Sequence, residues 1–115
     1  MNPKVSIITV CYNSAKTIED TIKSVINQTY DNIEYIIIDG LSTDNTLEIV
    51  NKYQDLITKV VSEKDAGLYD AINKGIGLTT GEIVANLNSD DFYIDNNVIA
   101  DVVEKMQANN SDTLY

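Results

Sequence analysis

Short apolar runs alternate with segments of helical period along the whole chain, and this alternation limits the fold more than any other feature. Residues 4–10 hold Val5, Ile7, Ile8 and Val10 in a nearly continuous apolar run. Such a run suits a strand buried on both faces, as in a parallel sheet. Asn13 and Ser14 then offer an N-cap, and Ile18, Ile22, Val25 and Ile26 recur at helical spacing. Glu19 and Asp20 fall in the first turn of that helix, where its dipole favours acids.

The pattern repeats. Residues 33–39 form an Ile-rich strand closed by Asp39-Gly40, and Thr43-Asp44 is placed to cap a helix carrying Leu47 and Val50. A short third strand is expected over 58–62. A short helix follows over 68–74, with Gly75 as its C′ residue. A fourth strand over 82–87 precedes a last helix, capped by Asp95 and bearing Ile99, Val102, Val103 and Met106. The order β-α-β-α-β-α-β-α predicts an α/β fold with a mostly parallel sheet and right-handed crossovers. One domain over residues 1–106 is expected, with a polar tail over 107–115.

Composition narrows the function. Eight basic and 18 acidic residues give a net charge of −10, which argues against binding nucleic acid or an anionic membrane through a basic patch. All eight basic residues are Lys, and His is absent. Within this chain, that removes Ser-His-Asp and Cys-His mechanisms, His-ligated zinc and Arg forks for phosphate. The single Cys11 permits no internal disulfide and lies in an apolar stretch, as a buried inert thiol would. No signal peptide and no apolar run near 18 residues is present, which predicts a cytoplasmic location.

In open α/β sheets, ligands bind outside the carboxyl ends of the strands. Thr9, Tyr12 and Asn13 stand at the first strand end, and Asp39, Ser42 and Asp44 at the second. Glu63, Lys64 and Asp65 follow the third, and Ser89, Asp90 and Asp91 the fourth. Adjacent carboxylates repel unless a positive charge lies beside them. A Mg²⁺ or Mn²⁺ ion held by one or two carboxylates supplies that charge, and completes its shell with phosphates and water. The bland alternative is a solvated acidic turn. Asp39 could accept hydrogen bonds from a base or a ribose, or simply sit in an Asp-Gly turn. Tyr12 could stack on a base. Lys74 could reach a phosphate, or pair with Asp70 at i,i+4.

Four stretches together resemble the N-terminal, nucleotide-sugar-binding part of family 2 glycosyltransferases. They are V-S-I-I-T-V-C-Y-N at 5–13, I-I-I-D-G-L-S-T-D-N-T at 36–46, S-E-K-D-A-G-L-Y-D-A-I-N-K-G at 62–75 and G-E-I-V-A-N-L-N-S-D-D at 81–91. The resemblance implies a three-layer α/β/α, Rossmann-like GT-A fold. It implies that Thr9 and Tyr12 line the nucleobase pocket, that Asp39 binds the base, typically uracil, and that Asp65 helps to hold the nucleotide. Asp90 would lie near the ribose and diphosphate, and Asp91 would coordinate Mn²⁺ or Mg²⁺. The family's Asp-x-Asp motif begins here with Ser89, and Ile72 stands where many relatives carry Arg.

The resemblance further implies inverting transfer of a sugar, typically UDP-linked, to a saccharide or lipid-linked acceptor in bacterial surface-polysaccharide synthesis. Such an acceptor would place the protein at the inner face of the cell membrane. The general base that inversion requires is expected downstream of this chain, which then reads as a truncated donor-binding portion. An exposed edge strand would favour a homodimer. The competing reading is a non-catalytic nucleotide-sugar-binding or assembly module. A third, a phosphoryl-transfer or receiver-like domain with Asp39 as acceptor, fits poorly. Such domains place their acidic pair after the first strand, where this chain has Thr9, Tyr12 and Asn13.

Overall fold

The computed structural model describes residues 3–64 and 66–108. Four strands and four helices alternate: β1 (Val5–Cys11), α1 (Ile18–Ile26), β2 (Ile33–Asp39), α2 (Thr46–Lys52), β3 (Lys59–Ser62), α3 (Leu68–Leu78), β4 (Ile83–Asn86) and α4 (Val98–Ala108). A 3₁₀ turn at Gln54–Leu56 joins α2 to β3. The strands pair in the order β3-β2-β1-β4, and every pairing is parallel. β1 is therefore central, with Val5 opposite Ile33 on one side and Ile83 on the other.

Successive strand residues point to opposite faces, so the Ile-rich runs feed two cores. Ile7, Tyr35, Ile37 and Ala85 face α1, α2 and α4, where Ile22, Val50 and Ile99 cover them. Ile8, Ile36 and Ile38 face α3 through Ala71. The result is three layers, helix on sheet on helix. Ile18, Ile22 and Val25 make one buried stripe on α1, each side chain worth about 1.5–3 kcal/mol of burial.

Two sequence expectations change. α3 does not stop at Gly75 but runs on to Leu78. A Cβ on Gly75 would stand 2.6 Å from Cγ2 of Ile8, so this glycine permits close approach of helix and sheet rather than ending the helix. Asn13 and Ser14 do not cap α1, which starts after Thr17 with no side-chain cap bond. Their side chains are engaged by neighbouring loops instead. α4 continues to Ala108, and residues 109–115, most of the expected polar tail, lie outside the described residues.

α4 also borrows its cap. Asp95 accepts a bond from the Asn97 N–H at 2.8 Å. The Ile99 N–H is satisfied by Gln28 from the end of α1, at 3.0 Å. Among the described residues, no helix is long and apolar enough to cross a membrane.

Candidate functional site

The strand order reverses direction between β1 and β4, and the loops leaving these two strands meet there. The Ser14 and Ser89 hydroxyls are 2.9 Å apart. Asn13 sits in the left-handed region (φ 48°), a conformation Asn tolerates better than most residues. From there its side-chain oxygen accepts the N–H groups of Thr43, at 2.7 Å, and Asp44. Asp44 in turn receives the Ala15 and Thr46 N–H groups and the Thr46 hydroxyl. The Thr46 hydroxyl, helped by the Thr46 and Ala15 N–H groups, holds the Asp44 carboxyl below its ordinary range. The loops after β1 and β2 are thus one hydrogen-bonded unit.

Asp39 is fully buried at the end of β2. One carboxylate oxygen accepts the Ser42 N–H at 3.0 Å and the Ser62 hydroxyl at 2.8 Å. The other faces the Ser42 hydroxyl and the Cys11 thiol. Asp39 therefore ties β1, β2 and β3 together beneath the surface of the groove. Asp70 is similarly engaged by the Ala66 N–H and by Lys74, which also pairs with Glu63 at 3.1 Å.

Asp90 and Asp91 differ. Both are exposed, in a turn closed by the Asp91 N–H on the Asn88 carbonyl at 3.0 Å. Their carboxylates receive no hydrogen bond or ion pair from the described residues. Mg²⁺ and Mn²⁺ bind through one or two carboxylates and take their remaining ligands from phosphate and water. The pair fits that requirement. Among the described residues, no group of three or more potential ligands would enclose an ion by itself.

Two adjoining cavities, of about 570 and 510 Å³, run along this edge and share Val10, Ser14, Leu68 and Ser89. The first adds Asn13, Lys16, Asp44 and Asp90, and the second adds Tyr12, Gly40 and Lys64. Tyr12 is 61% exposed, so its ring is open to stacking. Thr9, Asp39 and Asp91 are not among the residues that line these two cavities. Thr9 is fully buried, with its hydroxyl 2.8 Å from that of Tyr35. Strand alternation puts Val10 in the groove instead. Asp39 lies at the end of β2 beside Cys11, and Asp91 follows Asp90 in the exposed turn after β4. Asp65 lies outside the described residues.

Lys16 and the pairing of Ser14 with Ser89 were not foreseen from sequence. A lysine before a helix carries no distinguishing signal. Ser14 and Ser89 are small polar loop residues whose partnership appears only when β4 docks beside β1.

The model of glycosyl transferase family 2 matches residues 6–115. The cholesterol galactosyltransferase of Borreliella burgdorferi is 36% identical over 95% of this chain and 31% of its own length. The putative teichuronic acid biosynthesis glycosyltransferase TuaG of Bacillus subtilis is 41% identical over 77% of this chain and 36% of its own. Among solved structures, S. aureus TarS in complex with UDP-GlcNAc superposes with a TM-score of 0.84 at 29% identity, over 91% of this chain and 31% of that one. The mannosyltransferase PcManGT of Pyrobaculum calidifontis, in complex with GDP-Man and Mn²⁺, gives a TM-score of 0.85 at 26% identity, over 92% and 33%. The chain spans about a third of the length of the curated relatives it matches. It belongs to glycosyl transferase family 2, and its sheet is that of the GT-A glycosyltransferases.

Proposed function

We propose that this chain is the donor-binding part of a metal-dependent, inverting glycosyltransferase. The donor is a UDP-sugar and the acceptor a saccharide or lipid-linked saccharide in surface-polysaccharide synthesis. One contrast carries the reading. Asp39, Asp44 and Asp70, the other acids described around the groove, have their carboxylates filled by protein donors. Asp90 and Asp91 stand exposed at the rim without such partners. The relatives and neighbours named above support this class of donor and acceptor: three carry names that specify sugar transfer, one of them in teichuronic acid biosynthesis, and two solved structures hold nucleotide sugars.

The roles follow from position. Tyr12 offers its face to the base in the cavity that Lys64 and Gly40 also line. Asp39 is proposed to bind the base from the end of β2, where its carboxylate also accepts the Ser42 N–H. Asp65 is proposed to contact the nucleotide from the loop after β3. Asp90 faces the ribose and diphosphate, and Asp91 holds the divalent cation. When bound, Mn²⁺ or Mg²⁺ supplies Lewis-acid stabilisation of the negative charge on the departing diphosphate. The general base is proposed to lie outside residues 3–108.

Calorimetric titration of UDP tests this, with Mn²⁺, then with EDTA, then with Asp91→Ala. Mn²⁺-dependent binding that Asp91→Ala abolishes is the expected result. Equal binding by wild type and Asp91→Ala, or binding indifferent to EDTA, would remove Asp91 from the site.

A further inference from the structure

The acidic turn does not hold itself in place. Thr21, in the middle of α1, is fully buried, and its hydroxyl reaches two backbone carbonyls of that turn. Its one proton is shared among the Ser89 carbonyl at 3.0 Å, the Asp91 carbonyl and, more distantly at 3.4 Å, the Thr17 carbonyl within α1. The first two acceptors flank Asp90 on either side. Every other polar tie from α1 and its C-terminal end to this segment falls further along. Gln28 donates to the Asp95 carbonyl at 2.7 Å, and the Thr29 N–H donates to the Asn96 carbonyl at 2.7 Å. Thr21 is thus the polar contact from α1 to the residues that bear the two free carboxylates.

We infer that Thr21 is a positioning residue for the divalent-cation site: its hydroxyl holds the Ser89–Asp91 backbone so that both carboxylates face the groove. The inference rests on the reading of Asp90 and Asp91 given above. Partners that orient metal ligands without touching the metal alter affinity about 10–100-fold when removed. Thr21→Val keeps the shape of the side chain and removes the hydroxyl. Thr21→Ser keeps the hydroxyl and removes the methyl, and is the conservative control.

Two readouts are needed on the 115-residue chain. One is Mn²⁺ affinity in the presence of UDP, followed by the electron paramagnetic resonance signal of free Mn²⁺. The other is hydrogen exchange at the Asp91 amide, which is bonded to the Asn88 carbonyl and reports on the turn without any metal. Thr21→Val is expected to weaken Mn²⁺ about 10-fold or more and to speed exchange at Asp91, with Thr21→Ser near wild type in both. UDP affinity without metal should not change. If Thr21→Val does not fold by circular dichroism, Thr21→Ala is read in its place. Wild-type Mn²⁺ affinity and unchanged exchange in the hydroxyl-free variant would overturn the inference. So would weakened affinity that Thr21→Ser fails to restore. A wild-type chain that binds no Mn²⁺ overturns the metal reading, and the cation role of Thr21 with it. The exchange data then show separately whether the hydroxyl holds the turn.

Discussion

Ser14 and Ser89 lie 75 residues apart in sequence, yet their hydroxyls meet at 2.9 Å between the two cavities of the groove. The bond joins the loop leaving the central strand to the loop that carries the free carboxylates. A hydrogen bond of this kind contributes about 0.5–1.5 kcal/mol net. A double-mutant cycle with Ser14→Ala and Ser89→Ala should return a coupling in that range. Urea unfolding measures it, and a coupling near zero would mean that the loops are held by other contacts.

Gly75 presses against Ile8 more closely than any side chain would allow. Gly75→Ala should destabilise the fold by about 1–3 kcal/mol, despite the higher helix propensity of Ala. Pairing it with Ile8→Val should recover little of the loss, because Val keeps both γ carbons, including the one at the 2.6 Å contact, and removes only Cδ1. Thermal unfolding of the three variants checks this.

Thr9 is buried with its hydroxyl on that of Tyr35, away from the groove. Thr9→Val leaves the Tyr35 hydroxyl without this partner in a buried setting, at a cost of about 1–3 kcal/mol. UDP affinity should not move. A loss of affinity greater than the loss of stability would place Thr9 in contact with the nucleotide.

Glu34 is nearly buried at the opposite end of the sheet. Burial pushes its carboxyl up, but the Thr80 N–H and hydroxyl, the Ser6 hydroxyl and the charge of Lys59 outweigh that, and the net shift is downward from 4.5. A carboxyl depressed in the folded state contributes stability above its unfolded pKa, and loses it as pH falls through the folded value. The gap in Tm between wild type and Glu34→Gln should therefore be widest near neutral pH and shrink below about pH 4.5. A gap independent of pH would show that hydrogen bonds, not ionisation, carry the effect.

Parts of this structure were legible in the sequence for physical reasons. The Ile and Val runs specify strands buried on both faces, and their alternation with helical segments leaves few topologies open. The end of α3 was misread because one residue type serves two purposes. Gly75 looks like a helix terminator, yet it is there for close packing against Ile8. Asn13 and Ser14 were misread as caps because their side chains can satisfy a helix N–H or a neighbouring loop equally well. The clustering of acids at one sheet edge followed from topology alone. Which carboxylates are engaged and which are free did not, since that depends in part on Ser62 and Ala15 arriving from other segments. Thr21 gave no signal, because its place between Ile18 and Ile22 reads as one more position on the buried stripe.

The register of Val5 against Ile83 has a consequence for how the molecule comes into being. β1, β2 and β3 are neighbours in sequence and can zip together over short closures, whereas β4 must return across nearly the whole chain to lie beside β1. Pairings of such long separation form slowly. A chain synthesised from its N-terminus holds three strands before β4 exists, and the groove is built at the seam where β4 arrives last. A nucleotide lodged across that seam would act as a latch on the final step of folding, so the rate at which β4 departs should fall as the ligand concentration rises.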